Sequence, residues 1–417
     1  MSPYTQLAYW KSFFHGDGYS HDHIPDLTGK VAIVTGANSG LGYATTVALA
    51  AHGARVFLAC RSKQRAQEAS DRVTEEIRTK HPKAPAPQLD FLELDLGDMN
   101  KTQQAAQEFL KQGLPLNILV NNSGILGGSL EVSADGIESE FAVNHMGHFV
   151  FTLALLDRIK ESQPSRIVIM SSLFHEKAAG INYDTIFKTG DTPQPHHQSV
   201  YDRYARSKLA NVLFAKALAR RVVNEPHLYV NACHPGYVST RATQPIHRQE
   251  ATTFSRLLDG LEEWFHSLVA WPVQRGVLTQ LYLATSPEIE SHEIRGRYFG
   301  PIANEIEPST YARDEKLQDE LWTYSEKLAN EKLKKSQLGY SYHANSGLGY
   351  ATTVALTAHG ARVFLACRSK QRAQEAIETA KAEIKSKFPH APAPHFDFLK
   401  LDQGDMTKTK QSAQEFL

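Results

Sequence analysis

The amino-acid sequence predicts an α/β protein built on a doubly wound parallel sheet. Two patterns indicate this fold class: short apolar runs alternate with segments of helical spacing, and the first run leads directly into a glycine-rich turn that opens a helix. Strands that are apolar throughout are typical of a parallel sheet covered by helices on both faces. Ligands of such a sheet bind at the carboxyl ends of its strands, so we expect the functional residues at that edge.

The predicted strands and helices follow one another in order from Val31 to His234. Each strand is a short, mostly apolar run, and the helices end at a glycine, a proline-rich stretch or a change of spacing. From there to Leu333 the sequence predicts amphipathic helix and loop. Strands are predicted at Val31–Thr35, Arg55–Cys60, Leu89–Leu94, Asn117–Asn121, Arg166–Met170 and Leu228–His234, and helices at Leu41–His52, Ser62–Lys80, Met99–Gln112, Gly136–Lys160 and Val200–Val223.

Composition excludes several classes of protein. The 417 residues carry 45 basic and 45 acidic side chains, so no net charge attracts nucleic acid or an anionic membrane. No apolar stretch is long enough to span a bilayer, and the N-terminus lacks the pattern of a secretory signal. Three cysteines without metal-ligand spacing favour a reducing, cytoplasmic location. The histidine pairs have no third ligand nearby in sequence, so no metal site is expected.

The glycine-rich turn after the first strand is a candidate phosphate site. Gly36 allows a tight turn, Gly40 lets the backbone approach a pyrophosphate, and Gly42 permits close packing of helix on strand. The N–H groups at the helix start would then face the phosphate charge, as in a Rossmann fold. The alternative is a turn with a purely structural role. The turn residues expected to contact a dinucleotide are Gly36, Asn38, Ser39, Gly40 and Gly42.

Residues 344–417 repeat residues 37–110 without a gap. Of the 74 aligned positions 56 are identical, but the copy lacks the first strand and has His343 where the first copy has Gly36. Without that strand and turn the copy cannot form the phosphate site. We therefore expect a lead segment at 1–27, a Rossmann-fold domain at 28–335, and at 336–417 a truncated, non-catalytic partial repeat of the first βαβ region.

The end of the second strand bears on the choice of cofactor. An NAD-specific site places a carboxylate there for the ribose 2′-hydroxyl, whereas this chain has Cys60, Arg61 and Ser62. A guanidinium can bind a 2′-phosphate through two hydrogen bonds, so NADP(H) is expected rather than NAD(H). The alternative is that Arg61 is a solvated charge at a helix start. Asp95, which follows the third strand, would bond the adenine amino group or else cap a helix.

Tyr204 and Lys208 lie four residues apart on a predicted helix, on the same face. An ammonium beside a phenol favours the phenolate and lowers its pKa from near 10 toward neutral pH. Tyr204 would then donate or accept the proton of a carbonyl/alcohol pair. Taken alone, the spacing also fits an ordinary surface helix.

Polar residues near the strand ends favour the catalytic interpretation. Ser172 closes the fifth predicted strand, and Gly124 follows the fourth strand and would let the backbone approach the cofactor. Asn144 lies inside a predicted helix, where asparagine has a poor propensity and needs a reason to occur. The turn at 234–240 follows the last strand and would cover a nicotinamide.

With these residues in place, the chain resembles the short-chain dehydrogenase/reductase superfamily, and within it the branch similar to retinol dehydrogenases and WW-domain oxidoreductases. The resemblance covers about residues 27–333. It is carried by TGANSGLG at 35–42, ACRS at 59–62, NNSG at 121–124, VNHMGHF at 143–149, the strand into Ser171 and Ser172, YARSK at 204–208, HPG at 234–236 and RYFGPIANEIEPS at 297–309.

The resemblance implies a role for each matching residue. Tyr204 is implied as the acid/base, and Lys208 as the residue that holds the ribose and lowers the tyrosine pKa. Ser172 is implied to polarise the substrate oxygen, and Asn144 to position a water of the proton relay. Further contacts with the cofactor are implied for Leu41 at the pyrophosphate and for Asn122, Val238 and Thr240 at the nicotinamide.

The sequence thus predicts an oxidoreductase that transfers a hydride between NADP(H) and the ketone, aldehyde or alcohol of a small apolar substrate, in secondary or lipid metabolism. The alternative is a non-enzymatic NADP(H)-binding sensor or partner-binding protein on the same fold, since a fold does not fix function. Such a sensor would have no need of an acid/base pair. For the oligomeric state of the protein, the hypothesis is a homodimer.

Overall fold

The apolar runs of the sequence form one eight-stranded sheet. The computed structural model describes residues 18–127, 131–186, 199–238, 271–333, 362–367, 370–387, 393 and 395–400. The chain divides into two compact units, which comprise residues 1–332 and residues 333–417. The strands of the first unit are β1 Val31–Thr35, β2 Arg55–Cys60, β3 Gln88–Glu93, β4 Ile118–Asn121, β5 Ser165–Met170, β6 Leu228–Cys233, β7 Tyr298–Gly300 and β8 Asn304–Glu305.

The strand order is β3-β2-β1-β4-β5-β6-β7-β8. All neighbours are parallel except β7 and β8, which run antiparallel. The order reverses between β1 and β4, which is the point where doubly wound sheets bind dinucleotides. The predicted fold class and the six predicted strands are confirmed. The short strands β7 and β8 were not predicted, because two or three residues give too little periodicity to recognise.

Helices connect the strands, and polar side chains begin several of them. Ser62 accepts a hydrogen bond from the Arg65 N–H, and Ser199 forms a capping box with Asp202. Among the described residues, no helix is both long and apolar enough to cross a membrane. Within the described part of the first unit the α-helices are Gly40–Ala51, Lys63–Lys80, Met99–Lys111, Ser139–Phe141, Gly147–Glu161, Val200–Arg221, Val273–Gly276, Leu278–Thr285, Glu288–Ser291, Thr310–Arg313 and Glu315–Lys332, with 3₁₀ turns at His21–His23, Leu173–Lys177 and Tyr183–Thr185.

The continuous helix predicted at Gly136–Lys160 is wrong. Its first part is a turn, then a single α-helical turn, and then a π-helical segment at Ala142–Met146 that joins the helix Gly147–Glu161. At Gly147 the chain passes so close to Leu96 that a Cβ atom would lie 2.4 Å from the Leu96 carbonyl oxygen. The periodicity of the sequence did not predict the π-helical segment Ala142–Met146, whose turn contains one residue more than an α-helical turn, because such segments occur as rare single-turn bulges inside α-helices.

The hydrophobic core lies on both sides of the sheet. Every residue of β1, β4, β5 and β6 is buried, whereas the edge strand β3 is mostly part-exposed. On one side Phe57 packs edge-to-face on Phe109, with ring centroids 5.0 Å apart. Elsewhere in the unit Phe149 contacts Trp322 at 5.2 Å. Aromatic pairs of this kind add about 0.5–1.5 kcal/mol beyond their burial, and the second pair joins the helix Glu315–Lys332 to the helix Gly147–Glu161.

The described part of the second unit contains a strand, a helix and a strand, in the same order as β2, the helix Lys63–Lys80 and β3 of the first unit. Strands β9 Arg362–Cys367 and β10 His395–Lys400 form a separate parallel pair, with the helix Lys370–Lys387 between them. Arg362 pairs with His395, and in the first unit Arg55 pairs with Gln88, at the same separation of 33 residues. The copied glycine-rich stretch lies at 344–349, outside the described residues.

We predict that a chain ending after Lys335 folds as the first unit. All eight strands of the large sheet and the helix Glu315–Lys332 precede that point, while β9 and β10 pair with each other. Thermal unfolding followed by far-UV circular dichroism should show one cooperative transition with a midpoint near that of the same transition in the full chain. Insoluble protein, or a midpoint many degrees lower, would show that the first unit depends on residues 336–417.

Candidate active site

A cleft of about 1580 Å³ opens at the carboxyl ends of β1 to β4. Its walls come from the loops that follow these four strands, which is where the doubly wound sheet leads us to expect a ligand. The predicted cofactor residues among those that line it are Gly36, Asn38, Ser39, Gly40, Leu41, Arg61, Asp95, Asn122 and Gly124.

The glycine-rich turn has a geometry that other residues would not adopt. Gly36 and Gly40 have φ angles of 68° and 54°, in the left-handed region that favours glycine. A Cβ atom at Gly42 would lie 2.3 Å from the Gly36 carbonyl oxygen, so the turn folds directly onto the start of the helix. The N-cap residue of that helix, Ser39, makes no side-chain capping bond. The cleft therefore contains a backbone cradle with helix N–H groups available to an anion.

Basic side chains gather at the β2 end of the cleft. Arg61 is exposed there, and Arg65 and Arg72 line the same wall. Arg72 donates a hydrogen bond to the Asn38 carbonyl oxygen at 3.1 Å, and its guanidinium lies 4.8 Å from the Tyr43 ring centroid. The sequence analysis missed Arg65 and Arg72, although their spacing of seven residues on one helix places them on the same face.

Asp95 does not cap a helix. The helix Met99–Lys111 is capped by Asp98, whose carboxylate accepts the Lys101 N–H at 3.0 Å. The Asp95 carboxylate accepts the Gly97 N–H at 3.2 Å and lies on the cleft wall. Of the two interpretations drawn from the sequence, the N-cap is therefore wrong.

Asn122 ties the end of β4 to the end of β1. Its backbone N–H donates to the Thr35 hydroxyl at 2.9 Å, and its side-chain amide donates to the Thr35 carbonyl oxygen at 2.8 Å. Two residues later, Gly124 brings the cleft wall against polar side chains behind it. A Cβ atom at Gly124 would lie 3.1 Å from Lys208 Nζ and 3.3 Å from Asn144 Oδ1. Gly124 therefore brings the cleft wall into contact with Lys208 and Asn144, two of the predicted catalytic residues.

Asn144 lies in the π-helical segment and is fully buried. Its side-chain oxygen accepts the Ile125 N–H at 2.8 Å. Both N–H groups of its amide are used, one toward the Ile125 carbonyl oxygen at 3.0 Å and one toward the Ser207 hydroxyl at 2.9 Å. The asparagine that fitted the predicted helix poorly thus joins the loop after β4 to the helix Val200–Arg221, which we call the Tyr204 helix.

Tyr204, Lys208 and Ser172 lie together. The Lys208 ammonium is 5.5 Å from the Tyr204 ring centroid and donates to the Met170 carbonyl oxygen at 3.4 Å. Ser172 hydrogen-bonds to the Tyr204 side chain, whereas the Ser171 hydroxyl donates to the Lys208 carbonyl oxygen at 2.7 Å. Ser172 is therefore the serine that faces the phenol, as the sequence predicts.

The expected lowering of the Tyr204 pKa by Lys208 is not found. Burial of the phenol raises the pKa of Tyr204 to about 12; the hydrogen bond from Ser172 lowers it, and the charge of Glu140 raises it further. Burial also lowers the pKa of Lys208 to about 8. In this state of the protein, desolvation therefore has a larger effect on the phenol than the nearby ammonium.

Val238 lies close to the glycine-rich turn. It forms an isolated β-bridge with Trp271 and is buried. A Cβ atom at Gly276 would meet the side chains of both Val238 and Leu41, at 2.4 and 3.3 Å. Thr240, the other residue expected at the nicotinamide from this loop, lies in 239–270, outside the described residues.

The histidines at 145 and 148 serve as core residues. His145 hydrogen-bonds to the Ser325 hydroxyl at 2.8 Å, and His148 to the Thr35 hydroxyl at 2.9 Å. Burial lowers the pKa of His145 to about 3 and that of His148 to about 4, so both rings are neutral.

A buried ion network flanks Tyr204, and the sequence analysis missed it. Arg206 donates to the Glu138 carboxylate at 3.0 Å, and Arg203 lies 3.7 Å from Glu138 and 3.3 Å from Glu140. All four side chains are nearly inaccessible to solvent. Burial raises the pKa of Glu140 to about 7. The network connects the segment that carries Asn144 with the residues on either side of Tyr204.

Comparison with known proteins identifies relatives across the first unit. A family model described as short chain dehydrogenase matches residues 30–183. Retinol dehydrogenase 14 of Homo sapiens is 39% identical over 311 residues, covering 72% of this chain and 86% of the relative. The WW domain-containing oxidoreductase of Gallus gallus is 35% identical over 322 residues, covering 74% and 70%. The crystal structure of an uncharacterized protein from Mycobacterium paratuberculosis has a TM-score of 0.55 at 28% identity, covering 75% and 97%. The branch predicted from the motifs is confirmed.

We predict that Glu138→Ala lowers the free energy of unfolding by about 3–5 kcal/mol, because it leaves two arginines buried without their shared carboxylate. Urea unfolding followed by fluorescence would measure the change through the transition midpoint. Glu108→Ala is the matched control: Glu108 pairs with Lys111 on the surface, and its loss should cost at most about 0.5 kcal/mol. Equal midpoints for the two variants would contradict a stabilising role of the network.

Proposed function

Because the chain belongs to the short-chain dehydrogenase family and is an oxidoreductase of CH–OH and C=O groups, we propose that it transfers a hydride between NADP(H) and the ketone, aldehyde or alcohol of a small apolar substrate. One observation carries the proposal. Lys208 and Asn144 lie directly behind Gly124 on the cleft wall, and Ser172 hydrogen-bonds to Tyr204 beside them. This arrangement supports an acid/base pair next to a cleft with the features of a dinucleotide site.

The cleft fits a dinucleotide in its donors as well as its position. The turn from Gly36 to Gly42 offers backbone N–H groups without competing side chains, which suits a pyrophosphate. Asp95 and Asn122 are the side chains we propose for the adenine and nicotinamide ends. The bound nicotinamide supplies or accepts the hydride. The protein's own groups bind, orient and handle the proton.

Tyr204 is the proposed proton donor in reduction and acceptor in oxidation. Its raised pKa keeps the phenol protonated at neutral pH, so it is ready to protonate a carbonyl oxygen. Ser172 would share that oxygen through a second hydrogen bond. The phenolate left behind would be stabilised by the Lys208 ammonium, 5.5 Å from the ring centroid. Lys208 is also proposed to hold the ribose.

Asn144 is proposed as a positioning residue. Both of its N–H groups are used by Ile125 and Ser207, so its amide cannot donate to a relay water without breaking one of these bonds. Its contribution would be to hold the loop after β4, which contains Ile125, at a fixed distance from the Tyr204 helix. A change of this distance by about 1 Å can cost two orders of magnitude in rate.

The preference for NADP(H) is supported by the charge at the β2 end of the cleft. Arg61, Arg65 and Arg72 line that wall, and Cys60 and Ser62 flank Arg61 where an NAD-specific site would have a carboxylate. Arg61 is exposed and can reach a ligand. Glu68 on the same wall provides a carboxylate, but it lies in the second turn of the helix Lys63–Lys80 and not at the end of β2.

An apolar substrate is supported by the surroundings of Tyr204 and by the relatives. Phe174 lies 5.8 Å from the Tyr204 ring and stacks on Tyr201 at the same distance. The human relative is named for retinol, an apolar alcohol. We propose a role in secondary or lipid metabolism and a cytoplasmic location, consistent with the composition of the chain.

We predict that Tyr204→Phe lowers kcat by at least about 10²-fold, because the proton donor is lost, while NADPH still binds. NADPH consumption with a panel of apolar ketones and aldehydes measures turnover, and cofactor fluorescence measures binding. Tyr201→Phe is the matched control, since it removes a hydroxyl from the same helix without a lysine four residues later, and it should retain turnover. Undiminished turnover by Tyr204→Phe would reject the acid/base assignment.

We predict that Arg61→Ala weakens NADPH binding about 10- to 100-fold and leaves NADH binding nearly unchanged, because charge-assisted hydrogen bonds to the 2′-phosphate are lost. Fluorescence titration with both cofactors measures the two affinities. Arg78→Ala, which removes an arginine paired with Glu75 outside the cleft, is the control. A parallel loss of NADH and NADPH affinity would mean that Arg61 does not distinguish them.

A further inference from the structure

His175 contacts the backbone of Ser172 through its imidazole ring. It lies in the 3₁₀ turn Leu173–Lys177 and is fully buried. Its Nδ1 atom is 2.7 Å from the Ser172 carbonyl oxygen, and its Nε2 atom is 3.1 Å from the backbone nitrogen of Ser309. Ser172 is thus held between two groups: its hydroxyl faces Tyr204, and its carbonyl faces His175.

These two contacts fix the protonation state of the imidazole. The Ser309 N–H can only donate, so Nε2 must accept and carries no proton. The Ser172 carbonyl can only accept, so Nδ1 must carry the proton. A single neutral tautomer satisfies both contacts. Burial lowers the pKa of His175 to about 4, which agrees with a neutral ring at physiological pH.

Tyr298 of β7 strengthens the same anchor. Its ring packs edge-to-face on His175 with centroids 4.9 Å apart. Its hydroxyl lies 3.4 Å from the Ser172 carbonyl oxygen and 3.3 Å from His175 Nδ1. With the backbone N–H of His175, which donates at 3.1 Å, the Ser172 carbonyl therefore has three donors nearby, all from the two buried residues His175 and Tyr298. Through Tyr298 and Ser309, the segment after β6 reaches the residue that faces the phenol.

We propose that His175, held by Ser309, is a positioning residue that sets the orientation of the Ser172 hydroxyl toward the substrate oxygen. The inference rests on the proposed function. Anchoring a carbonyl fixes the plane of its peptide group, and this limits the directions open to the Oγ atom of the same residue. A histidine that merely fills the core would stabilise the fold equally through either of its two hydrogen bonds.

Three variants separate these interpretations. Asparagine places its amide nitrogen near the position of Nδ1 and keeps the bond to Ser172, whereas glutamine places its amide near Nε2 and keeps the contact with Ser309. We expect His175→Ala to lower kcat roughly tenfold or more with KM and NADPH affinity little changed. His175→Asn should restore most of kcat, and His175→Gln should not. Urea unfolding of each full-length variant shows whether losses of stability and of kcat run in parallel.

Equal kcat values for the asparagine and glutamine variants, or an unchanged kcat for His175→Ala, would overturn the inference and leave the proposed function intact. Absence of turnover by the unmodified protein, with NADPH bound, would instead count against the proposed function. In that case the geometry is still tested by ¹⁵N NMR of the His175 ring in the full chain. A proton on Nδ1 at neutral pH supports the assignment, and a proton on Nε2 or on both nitrogens overturns it.

Discussion

The amide of Asn144 joins the two halves of this site, and the rest of the arrangement depends on it. Its oxygen and both of its N–H groups connect Ile125, on the cleft wall, with Ser207 on the Tyr204 helix. Because the side chain is fully buried, leaving one of these groups unsatisfied would cost about 1–3 kcal/mol. Asn144 lies in the π-helical segment Ala142–Met146, from which its amide reaches both partners at once. Gly124 and Lys208 can then approach each other.

Burial determines the electrostatic state of the site. The pKa of Tyr204 is raised and that of Lys208 is lowered, which means that desolvation disfavours the charged form of both groups. A neutral phenol is the form that can give up a proton, and a cation within about 6 Å can compensate the phenolate that results. Arg203 and Arg206 lie on either side of Tyr204 in sequence, and their network with Glu138 is itself almost closed to water. The two arginines that flank Tyr204 are therefore held in place by their ion pairs with Glu138 rather than by water.

Sequence reasoning recovered what depends on neighbours in the chain. Strands β1 to β6, the glycine-rich turn and the pairing of Tyr204 with Lys208 all follow from spacings of a few residues, and the observed bounds of these strands differ from the predicted ones by one residue at most. It missed what depends on distant residues: the π-helical segment, the contact of His175 with Ser309, and β7 and β8. The sequence analysis predicted a lowered pKa for Tyr204, and this prediction was wrong. The sequence shows the Lys208 ammonium four residues away, but it does not show the burial of the phenol, which raises the pKa. The roles of the cofactor residues stay predictions.

The duplicated segment illustrates the same division between local and distant information. Its strand–helix–strand unit pairs Arg362 with His395 at the spacing found between β2 and β3, so a short stretch of sequence is enough to specify this local pairing. The copied residues, however, correspond to 37–110, and the chain of contacts described above runs through Asn144, Ser172 and Tyr204. None of these has a counterpart in 344–417. Copying the segment therefore reproduces local structure without the residues proposed for the active site, because those side chains come from three further segments of the chain.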